Sequence, residues 1–267
     1  MPLTVCATPI GNLDDVTLRV LAALAGAELV LCEDTRRTRL LLDRHGIRVP
    51  LSSYHEHNEA RRTAEILPRL ESGQAIALVT DAGLPSVSDP GARLIDAALD
   101  AGVAVVVLPG PSAVETALVA SGFPLERYQF VGYVPRGERA LASLWDELSS
   151  WPYAVVAFES PRRLPPTLRS LAASMPERPV AVCRELTKAF EEVVRGAARD
   201  VASRFPSPPK GEITLVLGPG SPRAVPDRIG LEAVAELVAG GSARRTAADV
   251  VARLTGVSRN RLYRGSL

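Results

Sequence analysis

The chain has 267 residues, 46% hydrophobic and 23% charged, which is enough for a sizeable core in one large domain or two small ones. Its net charge of +1 excludes a molecule that attracts polyanions by bulk charge, and no apolar run is long enough to cross a bilayer. Cys6, Cys32 and Cys183 lie in or beside apolar runs without metal-ligand spacing, so buried, reduced thiols in a cytoplasmic protein without a signal peptide are expected.

Residues 3–7 read as a short strand that breaks at Thr8-Pro9-Ile10-Gly11-Asn12. A helix follows over 16–24, with Asp14 and Asp15 suited to its N-terminus and Gly26 to its C-terminus. The turn lacks the G-x-G-x-x-G spacing, which removes a Rossmann nucleotide fingerprint, yet it can still present backbone N–H groups to a ligand. A second strand, 28–32, ends in Glu33-Asp34-Thr35-Arg36 ahead of a helix over 37–44. Two carboxylates and an arginine at a strand's carboxyl end exceed the needs of a turn, although a capping box with a surface ion pair would use the same residues. The third strand, beginning at Leu51, runs into a polar cluster that holds His55 and His57. His-x-His can bind a metal, but nothing completes a coordination shell, so polar contacts or substrate orientation are favoured.

After a helix over 60–70 comes the stretch around which the chain is organised. An apolar strand, 75–79, leads into Thr80-Asp81-Ala82-Gly83-Leu84, then two prolines, Asp89 and Gly91, then a helix over 92–99. A buried strand that stops at a small-residue loop and feeds a helix is the layout of a ligand site in an open α/β sheet. Gly83 allows a ligand close to the backbone, and Asp81 is placed to bind a ribose hydroxyl or a cation. Asp89, before Pro90, reads as a cap for the next helix. A further buried strand, 104–108, ends in Pro109-Gly110-Pro111-Ser112-Ala113 before a helix over 114–120. Five strands alternating with helices predict a parallel sheet whose loops share one edge.

Gly122-Phe123-Pro124 marks a boundary. Strands over 129–134, 153–158, 179–183 and 212–218, with helices over 139–148, 164–173 and 201–205, predict a second α/β domain with a mixed sheet. The stretch 187–192 is a further segment of this set. Of 31 basic residues only Lys188 and Lys210 are lysines, and both fall in loops of this half. They mark places where a compact ammonium is required, or they are random leftovers. A Pro/Gly linker, 220–227, leads to helices over 231–238 and 246–254 and a Ser-capped basic helix from Ser258, similar to a small helix-turn-helix. From Gly230 onward six arginines stand against Glu232, Glu236 and Asp249, which suits either a nucleic-acid contact or a solvated helical pair. The domains are expected at 1–120, 121–225 and 226–267.

TPIGNLDD, CEDTRRTRLLL, TDAGLPSVSDPG, PGPSA, FESPRR, RELTK and KGE, in this order from Thr8 to Glu212, resemble one family. It is the small-subunit ribosomal RNA (cytidine-2′-O)-methyltransferases, within the tetrapyrrole (corrin/porphyrin) methylase superfamily. The resemblance spans nearly the whole chain. It implies two α/β domains with S-adenosylmethionine in the cleft between them, a homodimer, no metal, and small-subunit ribosomal RNA as partner within the assembled subunit. It maps the methyl donor to Pro9, Ile10, Asp81, Leu84, Ser112, Ala113, Ala157, Phe158, Gly211 and Glu212, which Gly83 joins on the reading above. Two departures stand out: Arg162 replaces a usual histidine, and Gly137-Glu138-Arg139 follows Arg136 where a lysine is usual. A ribose hydroxyl is a poor nucleophile, so a nearby base or cation would help, and Glu33, Asp34, His55 and Lys188 are the candidates. Arg36, Arg136, Arg162, Arg244, Arg245, Arg259 and Arg261 are candidates for RNA phosphates. The rival readings are a tetrapyrrole C-methyltransferase and a non-catalytic S-adenosylmethionine-binding ribosome-assembly protein.

Overall fold

A computed structural model describes residues 1–220 and 227–266. The first half alternates β1 (Leu3–Cys6), α1 (Leu18–Gly26), β2 (Leu29–Cys32), α2 (Thr35–Arg44), β3 (Leu51–Ser53), α3 (Glu59–Glu71), β4 (Ile76–Leu78), α4 (Ala92–Asp100), β5 (Val105–Leu108) and α5 (Ala113–Ser121). Its strands form the expected parallel sheet, in the order β3-β2-β4-β1-β5. The apolar runs of β1, β2 and β4 are buried on both faces. Leu3, Leu31 and Leu78 meet Ile66 and Leu94 of α3 and α4, whereas Cys6, Val30 and Ala77 meet Val20 and Leu42 of α1 and α2. Asp14 and Asp15 do not begin α1. They form a separate 3-10 turn capped by Asn12, and Thr17 caps α1 instead.

The second half runs β6 (Tyr128–Tyr133), α6 (Glu138–Ser149), β7 (Ala154–Glu159), α7 (Leu164–Ser174), β8 (Pro179–Arg184), β9 (Glu192–Ala197), α8 (Ala198–Arg204) and β10 (Ile213–Leu217). The sheet order is β6-β7-β10-β8-β9, with β6 and β7 parallel and the other neighbours antiparallel. α6, α7 and α8 cover one face through Trp145, Leu168 and Val201. The other face is covered by α5, whose Val114, Ala117 and Leu118 pack on Val156, Ala181 and Val216. This helix follows β5 but crosses to the second sheet. β5 is therefore not the buried strand expected: it is an edge strand, with Val106 and Val107 exposed by 38% and 51%. β9, which begins where the segment 187–192 ends, pairs with β8 as the far edge. Buried Arg178 closes the base of this half by donating to the carbonyls of Gly218, Leu148 and Trp151.

The linker expected over 220–227 lies, apart from its two ends, outside the described residues. Beyond it, α9 (Asp227–Ala239), α10 (Arg244–Thr255) and α11 (Arg259–Gly265) bury Val234, Ala247, Ala248, Val251 and Leu262 on one another. Gly256 ends α10 in the left-handed conformation, and Ser258 holds the N-cap position of α11 without a side-chain cap bond. Among the described residues no helix is long and apolar enough to cross a membrane.

Candidate active site

The carboxyl ends of the parallel strands converge because the loops after them are tied together. Thr8 and Gly83 exchange backbone hydrogen bonds of 2.8 and 3.0 Å, and the Thr8 hydroxyl donates to the Thr80 carbonyl at 2.9 Å. Gly110 packs so closely on β1 that a Cβ there would stand 2.9 Å from that of Ala7. Gly83 holds φ +79°, a conformation open to glycine at little cost, with Ile10 and Pro111 on either side. These loops face β6, β7, β8 and β10 across a cavity of about 750 Å³. The N-terminal turn of α5, from Ser112 to Glu115, lies on its wall, without a side-chain cap bond from Ser112.

Carboxylates dominate this wall. Glu33, Asp81, Asp89, Glu115, Glu159 and Glu212 line the cavity, and among the described residues Arg37 is the only cation that does. Asp81 accepts the Asp34 N–H at 2.9 Å and pairs with Arg37 at 3.4 Å. Asp89 is not a helix cap. Gly91 holds that position of α4, and the Asp89 carboxyl turns inward toward Glu33. Burial and the neighbouring Glu33 charge push Asp89 up to about 6, and burial followed by the Asp81 charge raises Glu33. The buried Thr80 hydroxyl serves both, reaching Glu33 at 3.4 Å and hydrogen-bonding Asp89. One hydroxyl proton cannot satisfy two carboxylates, so this corner favours cations and protons. Glu159 differs because it is fully satisfied: it accepts from Thr167 and the Ser160 N–H and pairs with Arg163 at 3.3 Å.

A smaller cavity of about 240 Å³ shares Ile10, Arg37, Asp81, Ala82 and Glu212 with the first and adds Pro9, Gly11, Thr80 and Lys188. Lys188 Nζ bridges Glu185 at 2.8 Å and Glu212 at 3.0 Å. Burial opposes its charge, but these two hydrogen bonds outweigh burial and raise the ammonium above its usual range. Glu185 and Thr187 hold φ of +53° and +65°, strained for residues with a Cβ, and most of all for β-branched Thr187. Gly11 presses on this strained loop, since a Cβ there would meet Lys188 Cγ at 2.5 Å.

Of the predicted donor residues, Ile10, Asp81, Gly83, Leu84, Ser112, Ala113, Phe158 and Glu212 line the larger cavity. Three do not. Pro9 lies on the smaller one. Ala157 points the opposite way from Phe158 along β7 and is buried against α6–α8. Gly211 lies behind the wall, where its hydrogen atom and φ of +98° leave space for Glu185. Of the four candidates for proton transfer, Glu33 and Lys188 reach a cavity. Asp34 is committed to capping α2 and to Arg36, which hold its carboxyl down at about 2. His55 lines neither cavity, and its Nε2 lies 3.1 Å from the Asn58 amide.

The predicted arginines also separate. Arg36 folds back on Asp34 at 2.7 Å, and its neighbour Arg37 enters the site in its place. Arg136, Arg162 and Arg245 are exposed, and Arg244 is half-buried. Arg259 and Arg261 are engaged inside the C-terminal helices, by Asp249 and by Asp227 at 2.9 Å. Among the described residues no group of three or more His, Cys, Asp or Glu could hold a metal ion. All three cysteines are buried and free, and burial pushes Cys6 and Cys183 up to about 12. Sequence reasoning missed Asp89, Arg37, Glu159 and the aromatic wall formed by Tyr128, Phe130 and Tyr133. The last had a signal in the alternation of Tyr128 and Phe130.

Comparison with known proteins identifies the family. The family model described as Tetrapyrrole (Corrin/Porphyrin) Methylases matches residues 2–202. A protein of Mesorhizobium japonicum named Ribosomal RNA small subunit methyltransferase I is 43% identical over 98% of this chain and 90% of its own. One of the same name from Thermotoga maritima is 44% identical over 80% of this chain and 97% of its own. The crystal structure of uroporphyrin-III C-methyl transferase from Thermus thermophilus complexed with S-adenyl homocysteine superposes with a TM-score of 0.58 and 18% identity, covering 82% of this chain and 97% of that one. The chain thus belongs to the tetrapyrrole methylase family and, within it, to the group named ribosomal RNA small subunit methyltransferase I.

Proposed function

We propose that this protein transfers a methyl group from S-adenosylmethionine to the 2′-hydroxyl of a cytidine in small-subunit ribosomal RNA. The observation that carries the reading is a wall of carboxylates with the rings of Phe130 and Phe158, opposed among the described residues by Arg37 alone, at the converging ends of parallel strands. That wall fits a donor with a positive sulfur, since carboxylates and ring faces both attract cations. The relatives' names support ribosomal RNA as substrate, and the S-adenyl homocysteine named for the fold neighbour supports the donor.

On this reading Asp81, Gly83, Leu84, Ser112, Ala113 and Phe158 hold the donor. When bound, S-adenosylmethionine supplies a methyl group on a cationic sulfur, ready for in-line displacement. The protein aligns the hydroxyl and excludes water. The hydroxyl proton passes to a carboxylate, and Glu33 is the favoured acceptor because its raised affinity for protons matches the task. Lys188 and the C-terminal arginines orient the RNA. The resemblance adds a cytoplasmic homodimer acting on the assembled subunit.

The test is methyl transfer from labelled donor to small ribosomal subunits, free ribosomal RNA and a tetrapyrrole in parallel, followed by mapping of the product. Label on a cytidine ribose is the expected result. Label on the tetrapyrrole alone, or tight donor binding without transfer, would replace the reading with one of its rivals.

A further inference from the structure

Tyr133 is placed by an irregularity that nothing in the core requires. β6 pairs with β7 in register at Tyr128–Ala154, Gln129–Val155 and Phe130–Val156, and the next pair is Tyr133–Phe158. Three steps along β6 thus match two along β7. In a regular strand Tyr133 would face away from Phe130, because side chains alternate. The extra residue returns it to the same face, which is how bulges re-aim side chains beside active sites. Gly132 supports the bulge with φ +68°, and a Cβ there would meet nothing within 4 Å. Glycine is needed at that position for its backbone angle and not for space.

Tyr128, Phe130 and Tyr133 consequently all line the larger cavity. The rings form a stair. Phe130 meets Phe158 edge to face at 5.0 Å, and Phe158 meets Tyr133 at 5.6 Å. Phe130 and Phe158 are half-buried, whereas Tyr133 stands at the rim with 60% of its surface exposed. The contact with Phe158 holds the ring of Tyr133 while more than half of the residue stays open to solvent. A planar ring held at the mouth of an acceptor cavity suits a nucleobase splayed out of RNA, since every base offers a π-face.

We propose that Tyr133, set at the cavity mouth by the Gly132 bulge, is the stacking platform for the base of the acceptor nucleotide. This rests on the proposed RNA methylation. The test measures steady-state methylation of undermethylated small ribosomal subunits and, separately, donor affinity by calorimetry. Tyr133→Ala is expected to raise KM for subunits about tenfold and leave donor Kd within about twofold. Tyr133→Phe is expected to restore the wild-type KM, because the ring and not the hydroxyl does the stacking. Gly132→Ala should shift KM in the same direction as Tyr133→Ala, because it opposes the bulge while leaving the ring present. An unchanged KM for Tyr133→Ala overturns the inference, as does a matching loss of donor affinity, which would assign the ring to the donor. If the wild-type protein labels no subunit RNA, the methylation reading fails, and this inference fails with it.

Discussion

Replacing Asp89 by asparagine is expected to stabilise the protein at neutral and alkaline pH while weakening its hold on a cationic donor. The native state raises the Asp89 carboxyl from 3.8 to about 6, so it binds a proton more tightly than the unfolded chain does. That contribution to stability is complete below pH 4 and is lost as pH rises through 6. Above this window the ionised carboxylate sits beside Glu33 with one shared hydroxyl donor. A shift of this size corresponds to about 3 kcal/mol, and partial exposure of the group reduces it to about 1–2 kcal/mol. Asparagine keeps the shape and the acceptor for Thr80 but carries no charge. Near pH 8 the melting temperature of Asp89→Asn should therefore rise by about 2–6 °C, and near pH 3.5 the two proteins should melt together. Thermal unfolding by circular dichroism at both values measures this. Calorimetry should show weaker binding of S-adenosylmethionine and little change for the neutral product S-adenosylhomocysteine. A variant that melts at or below wild type near pH 8 would refute the placement of Asp89 in a desolvated acidic corner.

Three further outcomes are expected. Asp81→Ala should weaken donor binding at least tenfold, about 1.4 kcal/mol, because it removes the acceptor of the Asp34 N–H and the partner of Arg37; unchanged binding by calorimetry would take Asp81 out of the site. Lys188→Arg should lower single-turnover methylation at saturating donor with donor affinity preserved, since a planar guanidinium cannot copy a point charge bridging two carboxylates beside Gly11; a wild-type rate would make this lysine dispensable. Removing residues 227–267 should leave donor binding intact, because those helices bury their apolar residues on one another, and should weaken RNA binding and flatten its salt dependence; an unchanged salt slope in filter binding would remove the tail from the RNA interface.

Much of this layout was legible in the chain itself. Apolar runs ending in Gly, Pro or acidic residues located four of the five parallel strands and the edge where their loops meet, and Leu51 ahead of a polar cluster marked the other. What stayed hidden depends on parity and on partners. Ala157 and Phe158 are adjacent in a strand buried on both faces, so apolar content does not tell which one faces the cavity. Arg36 and Arg37 differ by one helical step, and the N-cap Asp34 captures the first. Asp89 before a proline has the local chemistry of a cap, and only packing against Glu33 and Thr80 reveals its other role. β9 shows Val193 and Val194 between charged residues and glycine, a weak pattern typical of an edge strand held by one neighbour. β5 is apolar but partly exposed, because α5 crosses to the other sheet.

The strand order also sets a timetable for synthesis. β1 lies between β4 and β5, so the first strand of this sheet to be made pairs only with the last two strands of its half, around residues 76 and 105. At about 5–20 residues per second, Leu3–Cys6 waits roughly 5–20 s after leaving the ribosome's catalytic centre before both neighbours exist. Until β4 is made, this short run of buried-type residues has two open edges, and until β5 is made it keeps one. Of the strands in this sheet β1 therefore stays longest without its neighbours, and a chaperone that shields it during translation would protect the strand on which both neighbouring loops of the active site are later hung.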